Sequence, residues 1–280
     1  MNPVSSTAQI HAAMQTVKKA DRFVTNFFPT EAKLQRWVDR QELTIEAGLE
    51  IFVLLRRDRD FHHLYYHASG FDPLDRALRE LTADTTLTLV ADLVGRAVDL
   101  TEPAAAFVKR GFRPYTRLLR LARIVTGPGT ASELPGVQLA QEADAKQALT
   151  MLEVSFDRYA EQLPDSHEII SAIADHSILV VRDGTQIAGL LFFERTGFTS
   201  TIRYWLVDPA HRDRKVGARL MRSYFSCCPE VRRFILWVLA ANGNALQRYE
   251  HYDYAPDGLC DQVMMFRPSS AYADHPLVAG

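Results

Sequence analysis

The sequence predicts an α+β protein made of two consecutive domains, each a mixed, mostly antiparallel sheet flanked by helices. Three observations indicate this fold class. Segments of β-branched and apolar residues alternate with segments whose apolar residues recur at helical spacing. The dipeptide Asp183-Gly184 is a strong signal for an antiparallel hairpin. A stretch of glycine, proline and small polar residues at 125–136 separates two halves of similar size.

Length, composition and charge exclude several classes of partner. The chain has 280 residues, of which 47% are hydrophobic and 24% are charged. Such a length allows two domains of about 130–150 residues each. The formal net charge of -2 provides no overall attraction to nucleic acid or to an anionic membrane. We therefore expect neither partner, and any phosphate-binding site must be a local concentration of donors.

Cysteine usage and hydropathy indicate a cytoplasmic protein. Cys227, Cys228 and Cys260 are odd in number, and no Cys/His spacing typical of a metal site is present. We therefore expect no disulfide framework and no metal. The N-terminus lacks an apolar signal core, and the longest apolar run, 234–241, is far shorter than the about 20 residues that span a bilayer.

In the second half, a short strand at 137–143 precedes two helices. Asp144 is a suitable N-cap for the first helix, and Asp165 or Ser166 for the second. The later elements are three antiparallel strands, a helix, a strand, a helix and a strand, at 177–182, 186–194, 199–207, 216–225, 234–241, 244–252 and 259–266.

The first half shows a similar order, with a helix from Thr30 and then strands and helices in alternation. These are predicted at 51–56, 61–68, 72–81, 87–94 and 102–110, and 115–124 is a strand or a helix. The similar order suggests an internal duplication of one fold. We predict a degenerate copy or accessory α/β domain at 1–125, a linker at 126–136, a catalytic domain at 137–268 and a tail at 269–280.

The most informative segment is the turn from Arg212 to Gly217. A strand stops at Asp208-Pro209, a basic turn follows, and a helix begins near Val216. Backbone N–H groups at a helix start lack intrahelical partners, and the helix dipole adds positive charge there. A diphosphate suits such a site, and Gly217 would let it approach the backbone without a Cβ clash. A solvated basic turn of an unrelated protein is the alternative.

This turn, with its antiparallel strand, resembles the GNAT superfamily of N-acetyltransferases. The family signature Arg/Gln-x-x-Gly-x-Gly/Ala corresponds to Arg212–Gly217, with Lys215 in place of the first glycine. Downstream, Asn242, Ala245 and Tyr249 match the family pattern Asn-x-x-Ala-x-x-x-Tyr, while Asp253-Tyr254 replaces its Gly-Phe. The resemblance covers the second half, from 137 to about 266.

The resemblance implies acetyl-CoA as cosubstrate and assigns a role to several residues. Backbone amides around Leu206 and Val207, with Asn242, would contact the pantetheine arm. Tyr249 would protonate the leaving thiolate, unless it serves only as a packing aromatic. The best carboxylate for the general base is Glu194, with His251 or a water chain as alternatives. The pyrophosphate would be held by the turn and the helix start, which contribute Arg212, Arg214, Lys215, Val216, Gly217 and Ala218.

The resemblance therefore implies an enzyme that transfers an acetyl group to a primary amine of a small molecule or peptide, by direct attack in a ternary complex. Two alternatives remain open: a non-catalytic module that binds CoA or another diphosphate, and an acyltransferase that uses a longer acyl donor. We expect a monomer or homodimer. In the first half, the corresponding turn, 68–74, has no arginine and no second glycine, so that half has lost donor binding if it is related. It would then be a scaffold, a wall of the acceptor site or a dimer-like partner within the chain.

The acceptor side is expected near 156–164 and Phe198. Aromatic and acidic residues there would suit a cationic amine, although exposed helix ends have the same composition. These residues are Phe156, Asp157, Tyr159, Glu161 and Asp165.

Overall fold

Strands and helices alternate along the described residues, 1–17, 23–127, 136–212 and 214–268, of a computed structural model. The strands are β1 (Asn2–Pro3), β2 (Val24–Thr25), β3 (Leu43–Ala47), β4 (Ile51–Asp58), β5 (Phe61–Ala68), β6 (Leu89–Arg96), β7 (Arg113–Ile124), β8 (Gln138–Leu139), β9 (Ile178–Asp183), β10 (Gln186–Thr196), β11 (Thr199–Val207), β12 (Arg233–Leu239) and β13 (Ala255–Phe266). The helices are α1 (Thr7–Thr16), α2 (Glu31–Asp39), α3 (Phe71–Ala83), α4 (Thr101–Lys109), α5 (Ala145–Ser155), α6 (Ser166–Ala174), α7 (Val216–Ser226) and α8 (Gly243–Glu250).

The chain divides into two compact units. Among the described residues, 1–118 and 258–268 form the first unit and 119–257 the second. The chain thus passes between the units twice, within β7 and within β13. No helix in the described ranges is long and apolar enough to cross a bilayer.

In the first unit, the sheet is mixed and mostly antiparallel. β3, β4 and β5 are antiparallel neighbours, β5 and β6 are parallel, and β13 is antiparallel to β6. Tyr65 and Tyr66 point to opposite faces, as strand alternation requires. Tyr65 stacks on Trp37 of α2 at 5.5 Å between ring centroids, and Tyr66 lies 5.8 Å from Phe107 of α4. Helices therefore cover both faces of this sheet.

In the second unit, the strands repeat this order. β8 to β11 are successive antiparallel neighbours, and β12 is parallel to β11. The buried face of α7, predicted from its spacing, consists of Val216, Leu220, Met221 and Tyr224 and packs in one core cluster. Helices α5 and α6 pack on the other face. The predicted fold class, a mostly antiparallel mixed sheet with flanking helices, is confirmed for both units.

The observed units differ from the predicted domain bounds at both ends. Leu259–Phe266 was expected in the second domain, but it pairs with β6 of the first unit, Leu259 opposite Arg96 and Phe266 opposite Leu89. Residues 119–125, expected in the first domain, belong to the second unit. The tendency of a segment to form a strand depends on local sequence, whereas the strand it pairs with is determined by the whole fold. The sequence pattern therefore predicted where these strands lie but not which strands they pair with. Apart from 126, 127 and 136, the predicted linker lies outside the described residues, as does the tail 269–280.

Gly189 of β10 allows α7 to pack closely on the sheet. A Cβ at this position would lie 2.7 Å from Cγ1 of Val216 and 3.0 Å from the carbonyl oxygen of Leu206. We predict that Gly189→Ala lowers the free energy of unfolding by about 1–3 kcal/mol, because overpacking forces the start of α7 away from β11. Urea unfolding followed by circular dichroism measures this.

Gly243→Ala is the matched control, since a Cβ there meets no atom within 4 Å. It should leave stability unchanged or raise it slightly, as alanine favours the first turn of α8. Equal destabilisation by both changes would contradict the packing role of Gly189.

Candidate active site

A cleft opens in the second unit where two parallel strands diverge. β11 pairs with β12 over four positions only, from Thr199 opposite Arg233 to Ile202 opposite Leu236. Beyond them, the end of β11 forms one wall of a cleft of about 890 Å³. Most of the predicted site residues line this cleft: Leu206, Val207, Arg212, Lys215, Val216, Gly217, Ala218, Asn242 and Tyr249. Arg214 and Glu194 do not.

The edge of β11 faces the cleft with alternate residues. The N–H of Asp208 donates to the carbonyl of Ala188 on β10 at 3.0 Å. Because backbone groups alternate in direction along a strand, Leu206 also faces β10, whereas Trp205 and Val207 face the open edge. Of the two predicted backbone contacts, Val207 is therefore placed to meet a ligand, and Leu206 is used within the sheet.

The N-terminus of α7 opens into the same cleft. The first intrahelical bond runs from the N–H of Arg219 to the carbonyl of Lys215, so the N–H groups of 216–218 have no partner inside the helix. The first turn contains no acidic residue. Arg212 and Lys215 are exposed beside it and form no ion pair with another described residue. The geometry and charge of this end suit an anion.

Lys215 occupies the N-cap of α7 in the left-handed region, with φ 57° and ψ 20°. This is the position of the first glycine in the family signature, so the backbone keeps a conformation that glycine adopts without cost. Lysine at this position adds an ammonium group beside the helix start, but its backbone is strained because a residue with a Cβ disfavours the left-handed region.

Gly217 lines the cleft and also has a packing role that was not predicted. A Cβ there would lie 3.1 Å from Cζ2 of Trp205 and 3.4 Å from Cγ2 of Val207. The missing side chain thus allows α7 to approach β11, while the close approach of a ligand at Gly217 stays a prediction.

Arg214, which does not line the cleft, and His211, which does, both connect the turn to the end of β9. The guanidinium of Arg214 and Nε2 of His211 each lie 3.0 Å from Oδ2 of Asp183 at the end of β9. His211, and then Arg214, hold the pKa of Asp183 below its usual value. Because Arg214 is 63% exposed, its ion pair with Asp183 contributes little stability but orients the side chain away from the cleft.

Tyr249 of α8 is 8% exposed and lies against Trp205, with ring centroids 5.4 Å apart. Burial, followed by the negative charge of Glu161, raises the pKa of the Tyr249 phenol. The phenol therefore stays protonated at neutral pH, as a proton donor requires and a base does not allow. Tyr249 therefore packs against the sheet and also lines the cleft, and its role as a general acid stays a prediction.

Asn242 caps α8, since its side-chain oxygen accepts from the N–H of Ala245 at 3.1 Å. Its side-chain amide group remains for a ligand in the cleft.

Glu194, the base predicted from the sequence, lies past a bulge on β10 and is paired with Arg203 at 2.6 Å. The structure thus places the predicted base outside the lining of the cleft, whereas the alternative, His251, lines it.

Trp205 lines the cleft but was not predicted as a site residue. It belongs to β11, and its ring contacts the rings of both Tyr249 and Tyr252. Strand alternation could have revealed it, because Trp205 shares a face with Val207, which was predicted to line the cleft.

The corresponding place in the first unit is filled by the chain itself. β5 and β6 are paired only at His62 and His63, after which β2 lies along the free edge of β5. The side chain of Asn26 accepts from the N–H of Tyr66 at 2.8 Å and donates to the carbonyl of Leu64 at 2.9 Å. The hydroxyl of Thr25 donates to the carbonyl of Tyr66 at 2.8 Å. In addition, α3 carries Asp72 in its first turn, which disfavours an anion.

Comparison with known proteins finds a family profile that matches part of the second unit. Residues 146–254 match the profile of the family described as the Acetyltransferase (GNAT) family. No curated protein is significantly similar to the chain.

Several solved structures share the fold. A tandem GNAT protein from the clavulanic acid biosynthesis pathway is 15% identical, with a TM-score of 0.59 over 94% of this chain and 97% of that one. A GCN5-related N-acetyltransferase from Sphaerobacter thermophilus is 15% identical, with a TM-score of 0.56 over 89% and 96%. One from Kribbella flavida is 13% identical, with a TM-score of 0.54 over 87% and 96%. At these identities the likeness establishes a common fold.

The conformation of Lys215 predicts that its replacement by glycine affects binding but hardly affects stability. Lys215→Gly relieves left-handed strain but adds freedom to the unfolded chain, so the free energy of unfolding should stay within about 1 kcal/mol of wild type. The affinity for CoA, the ligand implied by the sequence resemblance, should fall about tenfold, as expected for one charge-assisted hydrogen bond. Urea unfolding and titration calorimetry measure the two effects. Unchanged CoA affinity would show that the ammonium does not contact the ligand.

Proposed function

We propose that residues 146–254, which match the profile of the GNAT acetyltransferase family, form a domain that transfers an acetyl group from acetyl-CoA to a primary amine of a small molecule or peptide. The observation that carries the proposal is the cleft of the second unit, where an open strand edge, a helix N-terminus with exposed cations and a protonated phenol meet. Each feature suits one part of an acyl-CoA.

In this proposal the pyrophosphate is bound at the start of α7. The N–H groups of 216–218 point toward it, and Arg212 and Lys215 supply positive charge. The pantetheine arm lies along the open edge of β11 and hydrogen-bonds to the backbone of Val207, as an added strand would. The side-chain amide of Asn242 contacts the same arm from α8.

The transfer is a direct attack. The neutral amine nitrogen attacks the thioester carbonyl carbon, so that a C–N bond forms while the C–S bond breaks. Tyr249 gives its proton to the leaving CoA thiolate, and the resulting phenolate recovers a proton from the nitrogen of the collapsing intermediate. The phenol of Tyr249 holds its proton at neutral pH, because burial raises its pKa, and is therefore in the protonated form when the thiolate leaves.

We propose that the first unit binds no donor. Asn26 and Thr25 already satisfy the backbone groups of Tyr66, which lie on the strand edge that a pantetheine arm would use. The acidic first turn of α3 supports the same conclusion. The first unit then acts as a scaffold rather than as a second acetyltransferase.

Calorimetric titration of the full chain with acetyl-CoA tests donor binding. We expect one molecule per chain, and Arg212→Ala should weaken its affinity about tenfold or more, because a charge-assisted contact to phosphate is lost. Arg214→Ala is the matched control, since Arg214 faces Asp183, and it should stay near wild type. Two molecules per chain, or an equal loss in both variants, would contradict the site described.

Tyr249→Phe tests the chemical step. The variant should bind acetyl-CoA normally, because the ring and its packing are kept, while kcat falls about 100-fold or more for loss of a general acid. Thiol release across a panel of amines measures this. Binding of acetyl-CoA without turnover in the wild type would instead favour a CoA-sensing module, and preference for a longer chain would change the acyl donor.

A further inference from the structure

The lining of the cleft in the second unit carries charge of one sign. Arg212, Lys215 and Arg248 line it with cationic side chains, and His211 and His251 add two imidazole rings. Among the lining residues that the structure describes, none is an aspartate or a glutamate. Such a cleft attracts anionic ligands and gives no counter-charge to a cationic one.

The acidic residues expected at the acceptor side make local contacts instead. From the loop that follows α5, Phe156 lines the cleft, whereas Asp157 and Glu161 do not. The carboxylate of Asp157 accepts from the N–H of Tyr159, and that of Glu161 accepts from the N–H of Asp157, both at 2.8 Å. Asp165 caps α6. The lining therefore provides no carboxylate to select a cationic amine.

Arg248 lies on the face of α8 that is turned to the cleft. Residues three and four apart share a helix face, and the lining contains Ala245, Arg248, Tyr249 and Tyr252 from this helix. Arg248 is exposed and forms no ion pair with another described residue. A cation in the last turn of α8 also suits the helix dipole, but that role does not require the side chain to face the cleft.

The position of Arg248 along α8 distinguishes it from the cations at the start of α7. Asn242 caps α8, and Arg248 follows six residues later, about 9 Å further along the helix axis. Its neighbour Tyr249 packs on Trp205, two residues before Val207 on β11. In the proposed function, Arg248 thus stands beside the general acid, where the thioester meets the acceptor, and not beside the pyrophosphate.

Resting on the function proposed above, we propose that Arg248 determines acceptor specificity and that the acceptor is an amine that also carries a carboxylate, as an amino acid does. The planar guanidinium of Arg248 holds the carboxylate through two parallel N–H···O bonds. His251, which lines the cleft three residues further along, adds a ring nitrogen as a second donor. The amino group is left free to approach the thioester.

Recognition through the carboxylate also suits the chemistry of the amino group. Only the neutral amine attacks the thioester, and a carboxylate of the protein beside the nitrogen would favour the ammonium form. The cationic lining has the opposite effect, because nearby positive charge disfavours protonation of the amine. The same residues that bind the carboxylate of the acceptor therefore help to keep its nitrogen nucleophilic.

Matched pairs of L-amino acids and their amides test the proposal in the full chain, because each amide keeps the amine and side chain but replaces the carboxylate by a neutral group. Thiol release from acetyl-CoA measures the rates. For the preferred side chain, kcat/KM should be about tenfold or more higher for the acid. Arg248→Gln should lower kcat/KM for the acid about tenfold or more, mainly through KM, and leave the amide within about twofold. Comparing the acid-to-amide ratio between the two chains cancels the different basicities of the amines.

Two further variants serve as controls. Arg248→Lys keeps the charge but loses the planar fork, so its rate with the acid should be intermediate. Arg222→Gln, at an exposed position of α7 outside the cleft lining, is the matched control and should keep wild-type rates with both members of a pair. Calorimetry should show acetyl-CoA affinity within about twofold of wild type for Arg248→Gln.

Three results would overturn the proposal: a wild-type preference for the amides, an equal loss with acid and amide in Arg248→Gln, or a tenfold loss of acetyl-CoA affinity in that variant. The last would place Arg248 on the donor. A wild-type chain that binds acetyl-CoA but acetylates no amine would instead overturn the proposed function itself.

Discussion

The backbone edge exposed where a parallel strand pair separates is the constraint on which the site depends. Unpaired N–H and C=O groups at such an edge need partners. In the first unit, β2 and the side chain of Asn26 supply them from the same chain. In the second unit, the edge at Trp205 and Val207 faces a cleft instead. The corresponding edge is thus filled in the first unit and open in the second, and this difference is the basis for our proposal that the second unit binds the acyl-CoA.

The second half of the chain was predictable because its patterns are local. The apolar spacing of α7 and the hairpin at Asp183-Gly184 follow directly from short stretches of sequence. Most of the predicted residues that line the cleft belong to two motifs, and the order of these motifs along the chain predicted that they would meet. Helix α1 and strand β3 were missed, because their short segments lack the strong periodicity that identified the other elements.

The differences between prediction and structure share another cause, since each depends on a spatial neighbour that the local sequence pattern does not reveal. The final strand pairs with β6, about 165 residues earlier, as the contact of Cys260 with Gly95 shows. Arg214 lies in the basic turn, but Asp183 draws its side chain away. Glu194 has the right chemistry for a base, yet it is paired with Arg203. The residue type at a position determines which chemistry is possible there, whereas its neighbours in the folded protein determine which contacts the side chain makes.

The central claim is that an acyl-CoA lies in the cleft with its pyrophosphate at the start of α7. A crystal structure of the full chain with acetyl-CoA tests this most directly. The account predicts the pyrophosphate within hydrogen-bonding distance of the N–H groups of 216–218, and the pantetheine arm along Val207. It also predicts an unchanged contact between Asn26 and Tyr66 in the first unit. Acetyl-CoA bound along β5, with β2 displaced, would contradict the account.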